Sequence, residues 1–128
     1  KSGVIDVPPS ILLTFTRDSS TATGTQAITG AGFSPRTVLL IASKGPKEAS
    51  IGFVDSSLVG KALTNDQNRT SDQWSVGAWH DRAIQIMDSA SVSTTGHVLT
   101  YDIDGFTIQW TTYGSPSGSI NCRALCIR

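Results

Sequence analysis

Charge is scarce in this 128-residue chain, where Asp, Glu, Lys and Arg together make up 16% of the residues, against about a quarter in ordinary soluble domains. Neither sign is in excess, with ten basic and ten acidic residues. No net field steers the protein toward polyanions, which argues against nucleic acid and anionic membrane surfaces as main partners. Long apolar runs are also missing. The longest, residues 38–42, has the length of a strand and falls far short of the roughly 20 residues that cross a bilayer, so the expectation is not a membrane protein. The chain opens on Lys1 rather than Met, which reads as a processed or trimmed start, and residues 1–6 carry no signal-peptide apolar stretch.

Cysteine is limited to Cys122 and Cys126. Four residues apart on one extended strand they stand roughly 13 Å apart, beyond the roughly 7 Å Cα limit of a disulfide. They are expected not to bridge each other and to pack as small buried hydrophobes, with a disulfide between subunits as the alternative. A metal site is not expected, because no second cysteine pair or histidine cluster completes a four-ligand set. No cofactor is expected either.

The chain is rich in hydroxyls, with 17 Ser and 15 Thr, and Thr suits exposed β faces where Lys and Glu do not. No stretch of ten or more residues carries a helical apolar stripe. Short β-rich runs are punctuated instead by Gly, Pro, Asn, Asp and Ser, the spacing of a sandwich or barrel. Strands are predicted at 11–16, 25–28, 37–43, 50–55, 73–80, 82–87, 97–103, 106–112 and 119–127, with shorter pieces at 4–7 and 59–62. At this length one hydrophobic core forms, since a domain of this size buries about two thirds of its unfolded surface. The fold class is therefore all-β, an antiparallel β-sandwich of a single domain.

Val38, Leu39, Leu40 and Ile41 are apolar at both parities, which predicts a central strand covered on one side by the core and on the other by a loop or a neighbouring subunit. In 106–112, Phe106, Ile108 and Trp110 alternate with Thr107, Gln109 and Thr111, and Ile120, Cys122, Ala124 and Cys126 repeat that pattern. Trp74 and Trp79 fall on opposite faces of their run, which places one in the core and the other outside it. Asp104-Gly105 between alternating runs predicts a hairpin, because Gly accepts the positive φ of a type I′ or bulged turn. Further turns are expected at 30–35, 44–47 and 113–118, and the polar stretch 64–72 is expected to be a surface loop.

Catalytic groupings are thin. His80-Asp81 lacks a nucleophile elbow of the G-x-S-x-G kind, so it reads as a strand end and tight turn rather than half of a hydrolase dyad. His97 reads as an ordinary strand residue. Asp102 and Asp104 alternate like the start of a calcium loop but lack its sixth-position Gly and twelfth-position Glu, so turn chemistry explains them more simply. The single Glu48 lies in a Lys-rich turn, which leaves glycosidase chemistry without its carboxylate pair. Asn68-Arg69-Thr70 has the form of a glycosylation sequon, to which no weight is given. The chain reads as a non-enzyme. The remaining candidates are contact residues: Trp79 and Tyr113 with Asn68 and Arg69 of the polar stretch, as a subunit interface or an aromatic platform for sugar.

Three stretches, Gly24-Thr25-Gln26 through Gly32-Phe33-Ser34-Pro35 to Leu40, then Ser50-Ile51-Gly52-Phe53-Val54-Asp55, then Asp102-Ile103-Asp104-Gly105-Phe106 to Trp110-Thr111-Thr112, together resemble a group of tailed-phage and prophage proteins. Their pattern runs as a GTQ-like strand, GF-x-P before a hydrophobic strand, SIGF-x-D, a DGF-x-x-x-W-T-T hairpin and a short final strand. The similarity covers most of the chain from Gly24 onward, which leaves residues 1–23 as an N-terminal arm or first strands ahead of a domain at 24–128. Cys122 and Cys126 stand where that group more often has aliphatic residues. The resemblance implies a jelly-roll-like virion protein of the head-decoration (cement) or fibre type. The partners it implies are the major capsid protein or other virion proteins and further copies of the chain, with a homotrimer as the expected order. It supplies no catalytic residues. The alternative expectation is a carbohydrate-binding host-adhesion module.

Overall fold

The computed structural model describes residues 9–45, 48–66, 73–76, 82–89 and 91–128, and within them every regular element is a β-strand. The strands are β1 (Ser10–Asp18), β2 (Gly24–Thr29), β3 (Thr37–Lys44), β4 (Glu48–Val54), β5 (Gly60–Asp66), β6 (Gln73–Val76), β7 (Ile84–Ser89), β8 (Val92–Asp102), β9 (Gly105–Tyr113) and β10 (Ser119–Ile127). They form a six-stranded sheet, β1-β10-β3-β4-β5-β6, and a four-stranded sheet, β2-β9-β8-β7. Every pairing is antiparallel. The chain is an antiparallel β-sandwich. Its two ends wrap together as in a jelly roll, β1 on β10 in one sheet and β2 on β9 in the other, while β3 to β6 continue as a meander.

Period-two alternation decides which side each strand buries. On β10 the inward set is Ile120, Cys122, Ala124 and Cys126, all buried, against Val38, Leu40 and Ala42 of β3. The four-stranded sheet contributes Ile84, Ile86, Val98, Phe106, Ile108 and Trp110. Trp110 fits because its neighbour across the pair is Gly96, where an added Cβ would stand 3.3 Å from the indole and 3.2 Å from Ile84. The indole N–H donates to Gln26 Oε1 at 2.9 Å, and Gln26 Nε2 donates to the Thr16 carbonyl of the other sheet. The buried tryptophan is thus satisfied by a polar clasp between the layers.

Two register shifts re-aim side chains. An extra residue at Leu99 lets Val98 pair with Ile108 and Thr100 with Thr107, so Tyr101 keeps facing inward. Its hydroxyl donates to the Asp55 carbonyl at 2.7 Å and shares the proton with the Val54 carbonyl at 3.0 Å. The second shift puts Asp88 between Met87 and Ser89 as the unpaired residue of β7. Its carboxylate accepts from Lys44 Nζ at 2.5 Å, and the ammonium also donates to Ser19 Oγ at 3.3 Å.

Several expectations shift against this structure. β8 begins at Val92 rather than near residue 97, because Ser93, Thr94 and Thr95 pair with Tyr113, Thr112 and Thr111, and Gly96 lies against Trp110. Lys44 is no turn residue but the buried end of β3, and Glu48 opens β4 instead of lying in a turn. Thr64 to Asp66 belong to β5, and Thr64 is buried, so the polar stretch begins inside the sheet. The tip between β8 and β9 is Ile103-Asp104, with Asp102 opposite Gly105. Neither tip residue has a positive φ, so the hairpin is not type I′. Gly105 is still required: its φ is 154°, and a Cβ there would meet the Ile28 carbonyl. Within residues 1–23, expected as an N-terminal arm or first strands, Ser10–Asp18 is a strand at the end of the six-stranded sheet, bonded to β10 along its whole length. The predicted strand at 4–7 lies outside the described residues.

Candidate functional site

Among the described residues, the carboxylates of Asp55, Asp102 and Asp104 are taken up by turns and strand ends. Asp104 Oδ1 accepts from Gly32 N–H at 2.6 Å and its Oδ2 from Gly30 N–H at 3.2 Å, so this carboxylate closes the glycine loop between β2 and β3. Gly30 and Gly32, with φ of 105° and 77°, turn their amides toward it. Asp102 accepts from the hydroxyls of Thr100 at 2.7 Å and Thr107 at 2.6 Å. Asp55 accepts from Ser57 and Val59 N–H in the β4–β5 turn. No group of three or more His, Cys, Asp or Glu placed to hold a metal ion occurs among the described residues. His97 is half-buried on β8 opposite Gln109, and His80-Asp81 lies outside the described residues.

Both cysteine thiols are free and face the core. Burial pushes Cys122 up to about 12 and Cys126 to about 11, so neither is a thiolate at neutral pH. Their inward direction also argues against a disulfide between subunits.

Of the expected contact residues, Asn68, Arg69 and Trp79 lie outside the described residues, as do any contacts they make with Tyr113. Tyr113 ends β9 with its side chain 43% exposed. The Arg82 guanidinium stands 5.6 Å from the ring centroid, and its Nη2 donates to the Tyr113 hydroxyl at 3.2 Å. One face of the ring is therefore already stacked by a cation.

The largest unexplained chemistry is on the outward side of the six-stranded sheet. The pairings align Leu12, Leu125, Leu39 and Phe53 in one row across β1, β10, β3 and β4, and Arg123, Ile41, Ile51 and Leu63 in the next across β10, β3, β4 and β5. Leu12 is 56% exposed, Phe53 51% and Ile41 49%. The two rows form a continuous apolar band over five strands. The expected second cover over Val38–Ile41 is thus not supplied by any described residue. Lys61 ends the first row beside Phe53, and Arg123, donating to Thr14 Oγ1 at 3.1 Å, begins the second. A depression of about 330 Å³, lined by Thr14, Phe15, Ile41, Ser43, Asn121, Cys122 and Arg123, opens beside the band over β10.

Sequence reasoning found only the β3 part of this band. The signal was present elsewhere, as apolar residues at both parities in Ile11-Leu12-Leu13 and in Ala124-Leu125-Cys126-Ile127. What joins them is strand order, which places β1 and β10 beside β3 although they are distant in sequence. Comparison with protein-family models, curated proteins and solved structures finds no match.

Proposed function

We propose that this chain is a structural component of a phage virion, of the head-decoration or fibre type, which stabilises or projects from the capsid through protein–protein contacts and performs no catalysis. The observation that carries the reading is the outward apolar band on the six-stranded sheet, since contiguous exposed hydrocarbon of this kind marks association surfaces. The ordered motifs from Gly24 to Thr112 support the choice of particle. The use of Asp55, Asp102 and Asp104 as turn acceptors fits a scaffold whose polar groups are spent on shape. In this reading the partners are the major capsid protein or other virion proteins.

Locating the chain in intact particles by cryo-electron microscopy tests it. Density for the sandwich on the capsid or along a fibre is expected, and a chain absent from purified particles would overturn the proposal. The adhesion alternative rests on the exposed edge of Tyr113. It requires glycan binding by the isolated domain that is lost in Tyr113→Ala, and a glycan array without binding removes it.

A further inference from the structure

We infer that the outer edge of β1 is the contact between two copies of this chain, joined as antiparallel strands about a two-fold axis that crosses the sheet between their two Leu13 residues. The inference goes beyond the reading above and stands on main-chain geometry at that edge.

The two sheets end on four edge strands, and β1 is unlike the other three. β6 has four residues, β2 has six, and the six of β7 are broken by the extra Asp88. β1 runs nine residues against β10 without a shift. It holds no proline, lysine or bulge, the devices that blunt an exposed edge, and its charges come only at Arg17 and Asp18. A long, flat, apolar edge of this kind is a template for another strand.

Hydrogen-bond parity identifies the groups on offer. The Arg128 N–H donates to the Pro9 carbonyl and the Ser19 N–H to the Gly118 carbonyl, so odd-numbered residues of β1 bond to β10 and even-numbered ones turn their main-chain groups to the open side. The Thr16 carbonyl agrees, accepting from Gln26 Nε2 at 3.1 Å. Among the described residues, nothing bonds to the N–H or C=O of Leu12 and Thr14.

The order of residues along this edge selects a second copy. Centred on Leu13, antiparallel pairing sets Leu12 opposite Thr14 of the partner subunit and Ser10 opposite Thr16 of the partner subunit. Leu12 and Thr14 then exchange four main-chain bonds across the axis, and each Thr16 N–H adds one to a Ser10 carbonyl, leaving the Thr16 carbonyl to Gln26. Between these, Ile11 meets the partner's Phe15 and Leu13 meets the partner's Leu13, at the close spacing of non-hydrogen-bonded pairs. Ile11, Leu13 and Phe15 are only partly buried in the single chain, so the pairing covers hydrocarbon that folding leaves open. Arg17 falls opposite the partner's Pro9, and no like charges meet. Moving the centre to Thr14 would set Arg17 against Ile11, and moving it to Leu12 would set Phe15 against Pro9. The two-fold closes the assembly as a dimer, in place of the homotrimer expected from sequence. In the joined sheet the row from Phe53 to Leu12 of one copy runs on into the row of Thr14, Arg123, Ile41 and Ile51 of the other, so two short bands become one.

A contact one strand wide and about 24 Å long lies at the small end of specific interfaces, so sedimentation equilibrium on the intact chain should show a dimer in the high micromolar range. Leu12→Lys with Thr14→Lys sets ammonium groups against each other at exposed positions and should weaken that dimer about tenfold, whereas Leu12→Glu with Thr14→Lys should restore it. Both double variants should keep the parental far-ultraviolet spectrum and cooperative melting. Leu13→Cys brings a thiol beside its mate at the axis, within disulfide reach, so mild oxidation should give covalent dimers. Thr16→Cys, about 20 Å from its mate, should give none. The native thiols are buried and do not compete. Ile103→Lys, at the exposed β8–β9 tip, should leave the dimer intact. A monomer at every concentration, a trimer, a dimer indifferent to the paired charges, or a Leu13→Cys chain that does not cross-link would each overturn the inference. A monomer found on particles would overturn it and leave the virion reading standing, and an edge-dependent dimer absent from particles would do the reverse.

Discussion

Outward positions of the four-stranded sheet carry Thr25, Thr107, Gln109, Thr111, Thr95 and Ser93, whereas those of the six-stranded sheet carry Leu12, Leu125, Leu39, Phe53, Ile41 and Ile51. Exposure does not sort them. Ser93 and Thr95 are buried, yet Leu12 and Phe53 stand about half in solvent. Inward, both sheets follow the same rule and bury hydrocarbon. A sandwich needs only its facing sides to be apolar, so the hydrocarbon on the outside of one sheet is not explained by folding the single chain. In the proposed reading it is an association surface. Substitutions inside and outside the sheets should separate what the interior requires from what that outer face requires.

The largest effect should come from the interior of the four-stranded sheet. Trp110 is fully buried and hydrogen-bonded to Gln26, and Trp110→Ala is expected to cost about 4 kcal/mol. Urea unfolding measures this, and a loss below about 1 kcal/mol would show that the layers do not pack around the indole as described.

Next in size is the ion pair that ties the sheets together at the Lys44 end. The Lys44 and Asp88 side chains are 10% and 19% exposed, so removing one partner strands the other. Asp88→Ala should cost about 3 kcal/mol, while Lys44→Met with Asp88→Leu should recover most of that loss. A double variant no more stable than Asp88→Ala would count against a desolvated pair. Asp88 Oδ1 is buried without a hydrogen-bond partner among the described residues, which adds to the reason why an apolar replacement is tolerated.

These two sites differ in how legible they were. Trp110 was readable because Phe106, Ile108 and Trp110 alternate cleanly with polar residues, and the period alone assigns the buried side. The Lys44–Asp88 pair was not readable. A lysine before Gly45 looks like turn chemistry, and Asp88 points at it only because a bulge inserts one residue into β7. Parity was therefore visible in sequence wherever a strand is regular, and it failed where Leu99 or Asp88 breaks the count. The band on the outer face was hidden for another reason. Its members come from β1, β3, β4, β5 and β10, and only the order of strands makes them neighbours.

A smaller effect concerns alkaline pH. Burial, with the Asp55 charge and then Cys126 adding to it, holds the Tyr101 hydroxyl up to about 12 from an ordinary 10.0, and burial alone holds Cys122 at about 12 from 9.0. Both groups are neutral acids raised by folding. Their contribution is complete below the unfolded values and disappears as pH rises through the folded ones. The melting temperature should hold up to about pH 9 and fall between there and about pH 12. Tyr101→Phe combined with Cys122→Ala should flatten that fall, and an unchanged slope would remove these groups as its cause.

The smallest effect on the folded chain should come from the outer face itself. Leu40 and Ile41 are adjacent on β3, one fully buried and the other 49% exposed. Leu40→Thr removes hydrocarbon from the core and places a hydroxyl there, which should cost about 3 kcal/mol. Ile41→Thr keeps a β-branched residue on an open strand face, so at dilutions where the chain is monomeric its unfolding free energy should stay within about 0.5 kcal/mol of the parent. If the band is an association surface, the same substitution should destabilise at concentrations that favour the contact, because mass action then couples folding to it. Denaturation followed at two protein concentrations reads both regimes. If Ile41→Thr is neutral at both, the exposed isoleucine contributes to neither folding nor assembly. If it is costly at both, a segment of the same chain covers the band, and the contrast between the two sheets' outer faces disappears.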